Sequence, residues 1–177
     1  MAAICIFPYY VNLAREILRN SRVSIATVIA FPFGVALTDV KEAEIRSAAT
    51  QGAGEMDIVI NISAVKSGDL DSVETEMHRL VGRSRSLGVA TKFIIETAYL
   101  TNDEKIALCK IANRVRPDFM KTSTGYGPAG ATIEDVRLMR SNLNPEIQIK
   151  AAGGIRSYGD AREMLRAPND DLADSDD

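Results

Sequence analysis

One histidine and two cysteines in 177 residues remove several common chemistries at once. The histidine, His78, lies off the apolar stripe Leu70, Val73, Met77, Leu80 and Val81 of its predicted helix, so it reads as a surface residue. A zinc site built on histidines is therefore unavailable, and no CxxC pair replaces it. A Ser-His-Asp or Cys-His arrangement would have to use His78 from a surface helix face. Cys5 and Cys109 are too few for a disulfide framework and suit a reduced compartment. The N-terminus lacks the basic region of a signal peptide. The longest uncharged stretch, Val23 to Thr38, contains Pro32 and Gly34 and is too short to span a bilayer. The formal net charge is -3, with Lys and Arg scattered, so no electrostatic footprint for nucleic acid is present. These absences predict a soluble cytoplasmic protein with neither a nucleic-acid nor a membrane partner. Lysine and carboxylate chemistry remain.

What is there is a repeated pattern. Short apolar runs alternate with amphipathic stretches at Ala3–Phe7, Ile25–Phe31, Met56–Ile60, Lys92–Ile95, Phe119–Thr122 and Ile147–Ala151. Most are rich in Val and Ile, as buried parallel strands are. The stretches between them are about one helix long, and a spacing of roughly 30 residues is that of a βαβ unit. Asp39 with Glu42, and Thr101 with Glu104, have capping-box spacing; Thr132 and Ser157 open the next two helices. Gly52, Gly54 and Gly88 punctuate helix ends. No linker divides the chain, which predicts one domain over residues 1–167 and an acidic, apolar-poor tail at 168–177 that reads as disordered. Six β/α units fit either an open doubly wound sheet or part of a TIM (β/α)8 barrel. Polar residues on one face of several strands favour the barrel: Asp57 and Asn61 on the third, Lys92 and Glu96 on the fourth.

Two lysines carry the strongest chemical signal. Lys121 and Lys150 each sit at the end of an apolar strand, just before a glycine-bearing turn. A lysine flanked by apolar residues in a buried strand is costly unless paired or neutral. Two on consecutive strands repel each other, which lowers a pKa and yields a nucleophilic amine near neutral pH. A lone strand-end lysine is ordinarily a snorkelling surface residue, but two inward lysines plus Asp57 on consecutive units resist that explanation. Lys92 and Glu96 admit a second reading as a buried structural ion pair. Cys5, taken alone, reads as a small buried packing residue.

The runs Ile4-Cys5-Ile6-Phe7-Pro8, Ala26-Thr27-Val28-Ile29-Ala30-Phe31-Pro32, Met56-Asp57-Ile58-Val59-Ile60-Asn61, Ile94-Ile95-Glu96-Thr97, Lys121-Thr122-Ser123-Thr124-Gly125 and Lys150-Ala151-Ala152-Gly153-Gly154-Ile155-Arg156 resemble the deoxyribose-phosphate aldolase family. The resemblance covers nearly the whole chain in order. It implies a class I aldolase on a TIM barrel that interconverts 2-deoxy-D-ribose 5-phosphate with acetaldehyde and D-glyceraldehyde 3-phosphate, without a metal or other cofactor. It implies that Lys121 forms the Schiff base, that the charge of Lys150 tunes it, and that Asp57 relays protons through a water. It places Thr124 near the substrate hydroxyls, Gly125, Gly153 and Gly154 near the phosphate, and Cys5 near the site.

Set against the family pattern, both ends are short. A first strand and an eighth, ending in a Gly-Ser-Ser type turn, have no counterpart, so six of eight β/α units are expected. Two open strand edges then predict association between copies. An inactive truncated relative is the alternative reading; a third is a Schiff-base aldolase with a less phosphate-dependent substrate.

Overall fold

Strands and helices alternate along the chain in the computed structural model, which describes residues 2–167. The expected acidic tail, 168–177, lies outside the described residues. The chain divides into two compact units, Met1–Ile94 and Ile95–Asp177.

The first unit holds β1 (Ala3–Ile6), α1 (Val11–Ile17), β2 (Ser24–Ile29), α2 (Thr38–Gln51), β3 (Glu55–Val59), α3 (Ile62–Lys66), α4 (Leu70–Ser86) and β4 (Ala90–Ile94). Its strands pair in parallel and in chain order, with Cys5 opposite Ala26, Val28 opposite Asp57, and Asp57 opposite Lys92. Residue alternation sends Ile25, Ile29, Met56, Ile58 and Phe93 to one face, where they are buried. The inward stripes of the helices complete that core: Val11 and Ala14 of α1, Ile45 and Ala48 of α2, Val73, Met77, Leu80 and Val81 of α4. Each of the larger side chains contributes about 1.5–3 kcal/mol by leaving water. Lys41 of α2 is fully buried between these layers, where its Nζ meets Glu76 Oε1 at 2.7 Å and the Val59 carbonyl at 3.0 Å. Burial pushes the Lys41 amine below its ordinary value, although Glu76 and Glu44 pull the other way.

The second unit holds α5 (Asn102–Val115), β5 (Phe119–Lys121), α6 (Ile133–Asn142), β6 (Gln148–Lys150) and α7 (Tyr158–Arg166). β5 and β6 are parallel, with Phe119 opposite Gln148 and Lys121 opposite Lys150. Met120 points the other way into a core with Leu108, Ile111, Val136 and Met139. α5 and α6 are tied by a buried ion pair, Lys105 Nζ to Asp135 Oδ1, at 2.6 Å. Among the described residues no helix is long and apolar enough to cross a membrane.

Helix starts follow the predicted caps in three of four places. Thr101 with Glu104 forms a capping box, Thr132 accepts from the Asp135 amide, and Ser157 with Asp160 forms a second box. The expected Asp39–Glu42 box is not formed. α2 begins at Thr38, so both carboxylates lie inside the helix, where they reach Arg79 of α4 instead. Asn61 is likewise not on the third strand. β3 stops at Val59, and the Asn61 side chain caps α3 by accepting from the Ala64 amide at 3.1 Å.

Candidate active site

In the first unit a polar cluster occupies the strand face opposite the helix-covered core. Because Met56 and Ile58 point into the core, Glu55 and Asp57 point together to the other face. Register then sets Lys92 beside Asp57, with Nζ 3.0 Å from Oδ1. The same ammonium hydrogen-bonds the Glu55 carboxylate at short range. Cys5 Sγ donates to the other Asp57 oxygen, Oδ2, at 3.6 Å. Asp57 is fully buried and Lys92 is 3% exposed. Burial alone would discharge Lys92; the Asp57 and Glu55 carboxylates outweigh it and hold the amine above its ordinary value. Lys92 is therefore a fixed cation and a poor nucleophile. Cys5 is exposed, which corrects its reading as a buried packing residue. Its register neighbour, Ala26, is too small to cover it.

In the second unit β5 and β6 end together, so Lys121 and Lys150 stand side by side on one face. Lys121 is 5% exposed and Lys150 is half-buried. The turns that follow are stitched to each other. The Thr122 amide donates to the Lys150 carbonyl at 3.1 Å. Thr122 Oγ1 accepts from the Ala152 amide at 3.1 Å and donates to the Ala152 carbonyl at 3.2 Å. Further on, the Ala131 amide donates to the Ala152 carbonyl at 3.0 Å. Gly130 permits this contact, since a Cβ there would sit 2.2 Å from the Gly153 carbonyl oxygen. Gly125, Gly153 and Gly154 have φ of 88°, 81° and 79°. Two left-handed residues in succession at 153–154 turn the backbone sharply just beyond Lys150, which a residue with Cβ adopts only under strain.

Glu96 completes this second group. It does not share a strand face with Lys92: β4 ends at Ile94, and Glu96 has φ of 51°. Its Oε2 accepts from the Thr124 amide at 3.2 Å and, at short range, from the Thr124 hydroxyl. Of the two readings of Lys92 and Glu96, the mutual ion pair is not formed: Lys92 meets Glu55 and Asp57, and Glu96 meets Thr124.

Each group has a distinct capability. Asp57, held by a cation on one oxygen and a thiol on the other, can accept and return a proton. Lys121 supplies an amine at a strand end. The glycine turns after β5 and β6 lie at strand C-termini, the position where parallel β/α folds bind anions. Sequence reasoning missed Glu55, Thr122 and Gly130. Alternation on β3 could have found Glu55, which lies two residues before Asp57 on the same face. Thr122 and Gly130 act through contacts between turns, and no spacing rule announces those.

Residues 1–173 match the family model described as DeoC/LacD family aldolase. The deoxyribose-phosphate aldolase of Thermococcus gammatolerans is 49% identical over 167 residues, 93% of this chain and 74% of that protein. That of Caldanaerobacter subterraneus is 46% identical over 94% of this chain and 72% of its own. Among solved structures, an aldolase named QR15 is 40% identical with a TM-score of 0.89, over 94% of this chain and 74% of that one. The deoxyribose phosphate aldolase of Aeropyrum pernix, described as a unique tetrameric structure, is 30% identical with a TM-score of 0.83, over 92% and 68%. These neighbours place the fold in the TIM-barrel type, with six β/α units among the described residues.

Proposed function

The chain belongs to the DeoC/LacD aldolase family, and from that premise we propose that it cleaves 2-deoxy-D-ribose 5-phosphate reversibly to D-glyceraldehyde 3-phosphate and acetaldehyde. It is an aldolase, a carbon–carbon lyase. The observation that carries the substrate-level reading is the Lys121–Lys150 register pair, set at the start of two glycine-bearing turns.

In this reading the Lys121 amine adds to the aldehyde carbon of the open-chain sugar and loses water, leaving a protonated imine. That imine is an electron sink. The hydroxyl proton on the third carbon leaves, the bond between the second and third carbons breaks, and its electron pair flows into the imine to form an enamine. Glyceraldehyde 3-phosphate departs. A proton returns to the second carbon, and water hydrolyses the new imine to acetaldehyde and free Lys121. Asp57, acting through a water, takes and returns these protons. Its ion pair with Lys92 and its thiol contact with Cys5 fix the carboxylate while it does so. Lys150 assists imine formation at Lys121 by like-charge repulsion across the register pair. Thr124 meets a sugar hydroxyl, and the backbone at Gly125, Gly153 and Gly154 meets the phosphate.

The test is reductive trapping. Borohydride with acetaldehyde adds covalent mass at Lys121 in the folded protein, and Lys121→Leu abolishes both trapping and turnover, a loss of about 10⁴-fold or more in kcat. Mass that maps to Lys150 or Lys92 overturns the assignment.

A further inference from the structure

Glu96 has no part in the steps above. It is 2% exposed. Its backbone is left-handed, an uncommon state for a residue with a side chain. The residues on either side pin it there. The Ile95 amide donates to the Lys121 carbonyl at 3.0 Å, and the Thr97 amide donates to the Thr122 carbonyl at 2.9 Å. Glu96 is therefore anchored to the end of the strand that carries the nucleophile.

From that anchor its side chain reaches the next turn. Oε2 takes both the amide and the hydroxyl hydrogens of Thr124. Thr124 Oγ1 in turn accepts from the Tyr126 amide at 3.0 Å. A hydroxyl has one hydrogen and two lone pairs. Glu96 fixes the hydrogen, Tyr126 takes one lone pair, and one remains for an incoming donor. Gly127 passes so close that a Cβ there would lie 3.0 Å from Glu96 Cδ and Oε1. The second oxygen, Oε1, is buried without a hydrogen-bond partner. An orphaned buried carboxyl oxygen is costly, so folding stability does not account for a glutamate at this position.

We infer that Glu96 is a positioning residue whose buried carboxylate clamps the turn 122–127 and aims the Thr124 hydroxyl, as an acceptor, at a hydroxyl of the sugar phosphate. This rests on the aldolase reading of Lys121, so the test separates the two. Four variants serve: Glu96→Ala, Glu96→Gln, Thr124→Val, and the double Glu96→Ala with Thr124→Val. Amide hydrogen exchange of the segment 122–127 reads the clamp directly and needs no turnover; Glu96→Ala speeds it about 10-fold or more. In kinetics Glu96→Ala raises KM for 2-deoxyribose 5-phosphate about 10-fold, while borohydride trapping of acetaldehyde at Lys121 stays within about twofold. Thr124→Val on top of Glu96→Ala adds little, because the two residues act as one unit. Glu96→Gln, which keeps an acceptor oxygen, restores most of the exchange protection. Unchanged exchange in Glu96→Ala overturns the clamp, as do additive losses with Thr124→Val or a fall in acetaldehyde trapping that matches the rise in KM. Failure of the unsubstituted chain to trap acetaldehyde at Lys121 overturns the aldolase reading, and the exchange result then still decides the clamp.

Discussion

Two register pairs of the same strand geometry have opposite electrostatics. Between β3 and β4, Asp57 faces Lys92; between β5 and β6, Lys121 faces Lys150. Unlike charges opposite each other in a sheet attract, and like charges destabilise it. In the first pair the one cation is shared with a second carboxylate, Glu55, and both Asp57 and Lys92 are nearly inaccessible. The second sets two lysines opposite each other in register at strand ends, a like-charge arrangement that does not favour the sheet. A lysine held by two carboxylates keeps its proton. The contrast separates a lysine that organises a carboxylate from one proposed to do the bond-making, and three experiments bear on it.

The largest effect is expected at Lys92. Lys92→Met leaves Asp57 buried with its main counter-charge gone, and breaking a buried pair from one side costs about 3 kcal/mol or more. Urea unfolding measures this, and a loss below about 1 kcal/mol would show that water already screens the cluster. The pH dependence has a definite sign. Lys92 holds its proton to higher pH when folded than the ordinary lysine value of 10.5. Its stabilising contribution is therefore fully present below that value and is lost only as pH climbs through the raised one. Stability measured from neutral pH to about 10 stays flat on account of this cluster.

Next is Asp57. Asp57→Asn keeps the shape and removes the proton acceptor, so turnover drops about 100-fold while imine trapping at Lys121 persists. Loss of trapping in the same proportion as turnover would move Asp57 from proton transfer to structural support of Lys92.

The smallest effect is expected at the like-charge pair. Lys150→Leu removes a repulsion, so stability changes by less than about 1 kcal/mol in either direction. Imine formation at neutral pH falls about 10-fold, equivalent to roughly 1.4 kcal/mol, and partly recovers in alkali. A pH profile of trapping that Lys150→Leu leaves unmoved would end the proposed role of Lys150.

How far these pairs could be read beforehand differs between them. Lys121 and Lys150 were legible because each occupies the same place in its β/α unit, an apolar run followed by glycine. Asp57 was legible because an aspartate amid Met56, Ile58 and Val59 must face away from the core. Lys92 and Glu96 do not share a strand face, because strand alternation does not extend past Ile94, where β4 ends. Asn61 failed for the same reason at the end of β3. Hydrophobic runs mark where strands lie more reliably than where they stop, since Ile94 and Ile95 are equally buried although only the first belongs to β4.

By itself the sequence determined the β/α alternation, three of the four expected helix caps and the lysine-bearing strand ends, because all of these depend on spacings of a few residues along one chain. Tertiary structure alone decided which charges meet. Glu55 and Asp57 come from one strand and the lysine they share from a second, while the thiol that meets Asp57, Cys5, comes from a third. Glu96 reaches Thr124 across 28 residues. Such choices follow from strand register and from a backbone turned into the left-handed region at Glu96, and a side chain's partner across a sheet is set by the neighbouring strand's position, which its own segment does not encode.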